Sequence, residues 1–164
     1  MPTHRPAAFF PCALFALSIT LLAAGSAAQT THVVDAKGGP GSNYLDIQAA
    51  VDAASPGDRI VVRAGAYLVF QVTKPLSISA EAGVQVGSGI DPNRAEVIVR
   101  GIGAGQTFSM HGVDLVVSWK TFPVVVDQCL GTVILEGANV LFPGGTAGVL
   151  ATDCRDLRVV RLRI

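Results

Sequence analysis

Two hydrophobic periods divide this chain. Between Asn43 and Ser55 the apolar residues Ile47, Ala50, Val51 and Ala54 fall at i, i+3, i+4 and i+7, one stripe of an amphipathic helix. Gln48, Ala49, Asp52 and Ala53 form its other side. Asn43 is placed to cap this helix, and Asp46 puts negative charge in its first turn, where the helix dipole favours it. Pro56 disfavours helical geometry at Ser55, and Gly57 and Asp58 complete a turn, which predicts a helix of about eleven residues. From Arg59 onward the period changes. Apolar, β-branched runs recur between turn residues: IVVR at Ile60, YLVFQV at Tyr67, LSIS at Leu76, VQV at Val84, EVIVR at Glu96, DLVVSW at Asp114 and PVVVD at Pro123. They continue as TVILE at Thr132, NVLF at Asn139, GVLAT at Gly148 and LRVVRL at Leu157. Such runs are short strands, and no second helix is predicted.

When every second run is placed on the same side of a coil, Ile60, Leu76, Val97, Leu115, Val133 and Leu157 follow one another at nearly even intervals. A period of roughly 20 residues without sequence identity predicts a solenoid, in which each coil buries its apolar face on the next. The competing β-sandwich expects hairpin turns such as Asn-Gly or Asp-Gly, and the chain contains neither dipeptide.

The segment YLDIQAAVDAASPGDRIVVRAGAYLVFQVTKPLSISAEAG, residues 44–83, sharpens this expectation. Its I-Q-x-A-V-D-A-A helix, S-P-G-D turn, I-V-V-R strand, A-G-x-Y corner and K-P-L-S-I strand resemble the N-terminal cap and first coils of the pectin-lyase-like superfamily. The resemblance in detail is confined to this segment; later coils match only as a pattern. It implies an all-β fold, a right-handed parallel β-helix of five to six coils with one short N-terminal capping α-helix. Pectinesterases, polysaccharide lyases, polygalacturonase-like hydrolases and copper-associated periplasmic proteins of the NosD type begin in a similar way, so the resemblance implies a scaffold and no single reaction.

Composition adds an address. Half of the 164 residues are hydrophobic and 15% are charged, enough for one domain with a substantial core. Residues 1–28 read as a secretory signal: His4 and Arg5, an apolar stretch from Ala7 to Ala24, and a small-residue cleavage site at Ser26-Ala27-Ala28. The competing reading is an uncleaved membrane anchor. Cleavage leaves residues 29–164 as the solenoid, secreted, periplasmic or on the cell surface, and no membrane partner is expected after it. Loss of Arg5 leaves one basic residue fewer than the 12 of the whole chain against 12 acidic residues, a net charge of about −1. That balance excludes an electrostatic footprint for nucleic acid. Four arginines, Arg155, Arg158, Arg161 and Arg163, gather near the C-terminus and read as the solvated side of a last strand. Residues 157–164 run as a strand without a covering element, so the sequence predicts a solenoid incomplete at its C-terminal side, with end-to-end association as the alternative.

Candidate chemistry is sparse. Asp127, in VVVDQC, is the nearest match to the strand aspartate that a pectinesterase resemblance requires, but it lacks the aromatic flank and no second aspartate follows at a matching motif. His111, in SMHGVD, is the one histidine a hydrolase could use, and it lacks a G-H-G context. Both are weak catalytic candidates; a coil-corner aspartate bonded to backbone is the plainer reading of Asp127. Met110 and His111 are adjacent soft donors, yet His32 is the only other histidine beyond the leader, so neither a metal site nor a cofactor is expected. The segment Trp119-Lys120-Thr121-Phe122 offers an aromatic beside a cation. Trp119, Lys120 and Phe122 are therefore candidate contacts for a sugar ring, against the alternative that the aromatics plug a corner. Cys129 and Cys154 lie about one coil apart. They are a disulfide candidate in an oxidising compartment, the alternative being an unbonded interior stack of small side chains. The expected function is a secreted carbohydrate- or envelope-associated surface module with polysaccharide as its partner. Its rivals are a polysaccharide-processing enzyme and a purely structural solenoid.

Overall fold

The computed structural model of the chain describes residues 28–87, 97–116, 123–141 and 148–163. The elements run β1 (Thr31–Val34), α1 (Ile47–Ala53), β2 (Arg59–Val62), β3 (Gly65–Tyr67), β4 (Phe70–Val72), β5 (Ser77–Ala80), β6 (Val84–Val86) and β7 (Val97–Arg100). They continue as β8 (Thr107–His111), β9 (Asp114–Val116), β10 (Val124–Asp127), β11 (Thr132–Glu136), β12 (Asn139–Leu141), β13 (Val149–Thr152) and β14 (Asp156–Val160). Every strand pair is parallel, and the strands form three sheets: sheet A in the order β1-β2-β5-β8-β11-β14, sheet B as β3-β6-β9-β12 and sheet C as β4-β7-β10-β13. The chain visits A, B and C in rotation, which makes a parallel β-solenoid of about four turns.

This is fewer coils than the five to six expected, for two reasons. Each turn uses three strands where the period count assumed two. The run YLVFQV is not one strand: Tyr67 ends β3, Phe70 starts β4, and the chain turns from sheet B to sheet C between them. Ile60, Val97 and Leu115, taken as equivalent, lie on sheets A, C and B respectively. The segment TFSMH, not expected as a strand, is β8 in the middle of sheet A. Its alternation is apolar only at Phe108 and Met110, both buried, and its three polar members face outward.

Register turns alternation into a core. On sheet A, Ile60, Ile78, Met110 and Leu135 stack in successive coils. Sheet B stacks Tyr67, Val86, Leu115 and Val140, and sheet C stacks Val72, Val99 and Val126. All of these residues are buried. Adjacent coils are roughly 4.8 Å apart, so each side chain packs directly on its counterparts above and below. At the turn from sheet A to sheet B, Gly112, Gly137 and Arg161 all have left-handed backbone, with φ of 75°, 64° and 55°. A single left-handed residue turns the strand direction there, and glycine takes that conformation without cost. At Gly131 the need is steric: a Cβ would lie 2.4 Å from the Gly103 carbonyl oxygen.

The N-terminal end is closed by side-chain chemistry. Helix α1 buries Ile47, Ala50 and Val51, with Ala54 at its C-cap buried beside them. The helix is shorter than expected, and its N-cap is Asp46, whose side chain accepts from the Gln48 N–H, in place of Asn43. Asn43 is engaged elsewhere: its Oδ1 accepts from the Val33 N–H, and its backbone donates to the Val33 carbonyl. Helical geometry therefore cannot begin until the chain has left the edge of β1.

Two further groups fasten the cap. Lys74 Nζ donates to the carbonyls of Val51, Asp52 and Ala54 at 3.0, 2.9 and 2.9 Å, placing positive charge at the negative end of α1. Asp58, 5% exposed, accepts from the N–H groups of Thr30 and Ser55 and from His32 Nε2, tying β1 to the turn after α1. The His32 hydrogen bond, with the two backbone N–H groups, holds its carboxyl down to about 2.

Lys74→Met should retain the alkyl stem, lose the ammonium and cost about 1–2 kcal/mol in urea unfolding. Asp58→Asn should lower the melting temperature at neutral pH by roughly 5 °C. Because the folded carboxyl lies below its ordinary 3.8, the stabilisation from Asp58 is present above that value and lost as pH falls through about 2. The melting gap between parent and variant should close over that window; a gap independent of pH would contradict the assignment.

Candidate functional site

Register places every coil's outward residue beside that of the next, so outward side chains form rows; on sheet C the row is apolar, with Ile98, Val125 and Leu150 as register partners, and polar rows lie elsewhere. Among the described residues, one polar row lies where sheet A turns into sheet B. His111 ends β8 and Glu136 ends β11 as register partners, with His111 Nδ1 at 3.1 Å from Glu136 Oε2. Arg161, one coil further, hydrogen-bonds the other oxygen of Glu136. Just past the turn, Asp114 and Asn139 are register partners on sheet B, with Asn139 Nδ2 donating to Asp114 Oδ1 at 2.6 Å, and the backbone of Arg163 pairs beside Asn139 through an isolated parallel bridge. Gln85 pairs with Asp114 on its other side and is exposed.

His111 and Glu136 are both half-buried, at 39% and 29% exposure, so their pairing remains open to solvent. Beneath the row, Val113 and Ala138 are buried and fix the corner on the core. On the broad face of sheet A beside it, Ser109 Oγ donates to Ser77 Oγ at 3.1 Å. Further along the last strands, Asp156 accepts from Arg158 and from Thr132 Oγ1, and the Arg158 bond holds its carboxyl below the ordinary value. Donors and acceptors thus recur at coil spacing along the solenoid axis.

The sequence candidates divide across the fold. His111 lies in this row, but Glu136, Arg161 and Asn139 were not recognised as its neighbours, because nothing in their local sequence marks them. The signal was long-range: the Arg161–Glu136 and Asn139–Asp114 contacts each reach across one full coil of sequence. Asp127 ends β10 on sheet C, where Arg100 Nε donates to its Oδ2 at 3.0 Å from the preceding coil. It therefore sits at the turn from C into A, across the width of sheet A from His111, about 16 Å for a strand of five residues. The two weak catalytic candidates are not brought together.

Trp119, Lys120 and Phe122 lie outside the described residues, in the connection from β9 to β10. Cys129 and Cys154 occupy equivalent positions two residues beyond β10 and β13, and both are unbonded thiols. Burial pushes the Cys129 thiol up. Among the described residues no group of three His, Cys, Asp or Glu side chains is placed to hold a metal ion.

A cleft of about 350 Å³ lies between α1 and sheet C, lined by Gln48, Asp52, Gln71 and Lys74 among others. Its polar groups are committed: Gln48 Nε2 donates to Asp52, Gln48 Oε1 accepts from the Gln71 N–H, and Lys74 is held by the three helix carbonyls. It therefore belongs to the cap. No family model, curated protein or solved structure matches this chain.

If Asp127 is a surface partner of Arg100, Asp127→Ala should cost about 0.5–1 kcal/mol, and a double-mutant cycle with Arg100→Ala should return a coupling of about 0.5 kcal/mol. Zero coupling in urea unfolding would detach Asp127 from this structural role.

Proposed function

We propose that this chain is a secreted, polysaccharide-binding solenoid of the pectin-lyase-like superfamily, with the row from His111 to Arg163 as its contact surface. The observation that carries the reading is the row itself. His111, Glu136, Asp114 and Asn139 present donors and acceptors on adjacent coils, half-exposed and held by one another. A polysaccharide is an extended chain of hydroxyl-bearing units, and a surface that repeats with the coil can meet it at several units at once. The superfamily reading is supported by the work done by the residues that carry the resemblance: the helix stripe is buried, the S-P-G-D aspartate ties the cap, and the K-P-L-S lysine seats the helix. Secretion is supported by the leader-like composition of residues 1–28.

A second reading, a polysaccharide-processing enzyme, has one observation in its favour. Glu136 engages His111 Nδ1, an arrangement that orients an imidazole for proton exchange through Nε2.

Incubation of the chain with a panel of neutral and acidic polysaccharides separates the readings. Retention without product release is the expected result, and His111→Ala or Asn139→Ala should weaken it about five- to tenfold while leaving the melting temperature nearly unchanged. Release of oligosaccharides that His111→Ala abolishes would replace the binding reading with the enzyme. No retention on any polysaccharide would remove both.

A further inference from the structure

We infer that Cys129 and Cys154 are a disulfide-forming pair that clips the third coil of the solenoid, β8-β9-β10, to the fourth, β11-β12-β13. The inference is independent of what the outer row binds.

β10 and β13 pair from Val124 with Val149 to Asp127 with Thr152, and the ladder continues past their ends: the Gln128 N–H donates to the Thr152 carbonyl and the Arg155 N–H to the Cys129 carbonyl. These two bonds bracket the cysteines and place Cys154 directly on Cys129. The turn residues before them match as well, since Gln128 and Asp153 are both left-handed, with φ of 52° and 51°.

The thiols are also in the same local setting. Cys129 Sγ lies 3.3 Å from the Asp127 carbonyl, and Cys154 Sγ lies 3.2 Å from the Thr152 carbonyl, in each case two residues back. Across the coils, Cys129 Sγ faces the Val99 carbonyl and Cys154 Sγ the Val126 carbonyl, residues that are themselves register partners. Stacked parallel residues are separated by roughly 4.8 Å, inside the Cα range a disulfide requires, so the bridge needs side-chain rotation and little backbone movement.

Access orders the chemistry. Cys129 is fully buried, and its thiol is pushed up by burial, whereas Cys154 is partly exposed. The Cys154 thiolate attacks a disulfide oxidant such as oxidised glutathione, forming a mixed disulfide and releasing one glutathione thiol. The Cys129 sulfur then attacks the Cys154 sulfur and expels the second glutathione. Two electrons and two protons pass from the protein thiols to the oxidant, and one S–S bond joins the coils. The closed loop holds the fourth coil on the third where burial is only partial: Val149, Cys154 and Leu157 pack on the core while partly exposed.

Trypsin should release residues 121–155 as one peptide, since Lys120 precedes it, Arg155 ends it and neither lysine nor arginine lies between. The full chain is equilibrated with oxidised glutathione, denatured, alkylated and digested. The expected peptide is two hydrogens lighter than its dithiol form and carries no alkyl group. Two alkyl groups, or one alkyl group with one glutathione, would overturn the proposal. The oxidised chain should melt about 10 °C above the reduced chain, and a Cys154→Ser chain should show no such dependence on oxidant. Equal melting of the oxidised and reduced parent would overturn the clip. Because the redox buffer supplies the oxidant, none of these outcomes depends on where the chain is exported or on polysaccharide retention.

Discussion

The contact of one coil with the next is the interaction on which everything else in this protein rests. A single turn of three short strands has no interior of its own; Ile78 acquires one only because Ile60 lies on one side of it and Met110 on the other. Backbone hydrogen bonding and side-chain stacking are therefore the same event, since the register that pairs the strands also aligns the apolar rows. A shift by one residue would turn Phe108, Met110, Val133 and Leu135 outward together and bring Ser109 and His111 in, which ties register to burial very strongly.

This dependence makes the first coil a special problem, because among the described residues no further coil lies above its upper edge. The structure meets each sheet edge differently. Sheet A receives an extra strand, β1, whose own edge is met by the backbone of Asn43 and Tyr44. Sheet C receives no strand among the described residues; the Gln48 side chain bonds both the N–H and the carbonyl of Gln71, as the backbone of another strand would. Near sheet B, Tyr67 OH donates to the Arg63 carbonyl and accepts from the Ala36 N–H, drawing the 35–42 loop towards β3. That loop is held by Asp35, which accepts from Lys37, Gly39 and Arg63. Open strand edges invite pairing with other chains, and these contacts remove the invitation at this end.

How much of this could be read in the sequence followed from whether the cause was local. The helix stripe is local, and Ile47, Ala50, Val51 and Ala54 are all buried as expected. The parallel strand-rich solenoid was legible because its alternation and turn residues repeat. The coil boundaries were not, since a corner between Tyr67 and Phe70 leaves no mark in an unbroken apolar run, and β8 hides two core residues among three polar ones. Left-handed corners at Gln128, Asp153 and Arg161 were equally silent, because the position is imposed by the stack, where glycine at Gly101, Gly112 and Gly137 had announced it in earlier coils.

Short sequence motifs record little of the chemistry on this solenoid. On a folded sheet with loops, a functional group is often fixed by neighbours a few residues away, and a short signature records it. On this solenoid the neighbours of His111 are Glu136 and, through it, Arg161, each a coil further on, and the neighbour of Asp127 is Arg100, a coil back. Each residue looks isolated in its own segment. What decides its role is coil length, because inserting or removing one residue between β8 and β11 would leave the local sequence of both strands intact and still separate His111 from Glu136. Function on such a scaffold is thus encoded in spacing, and the residues that fix spacing, the corner glycines and the stacked core, position the surface row as directly as any contact within it.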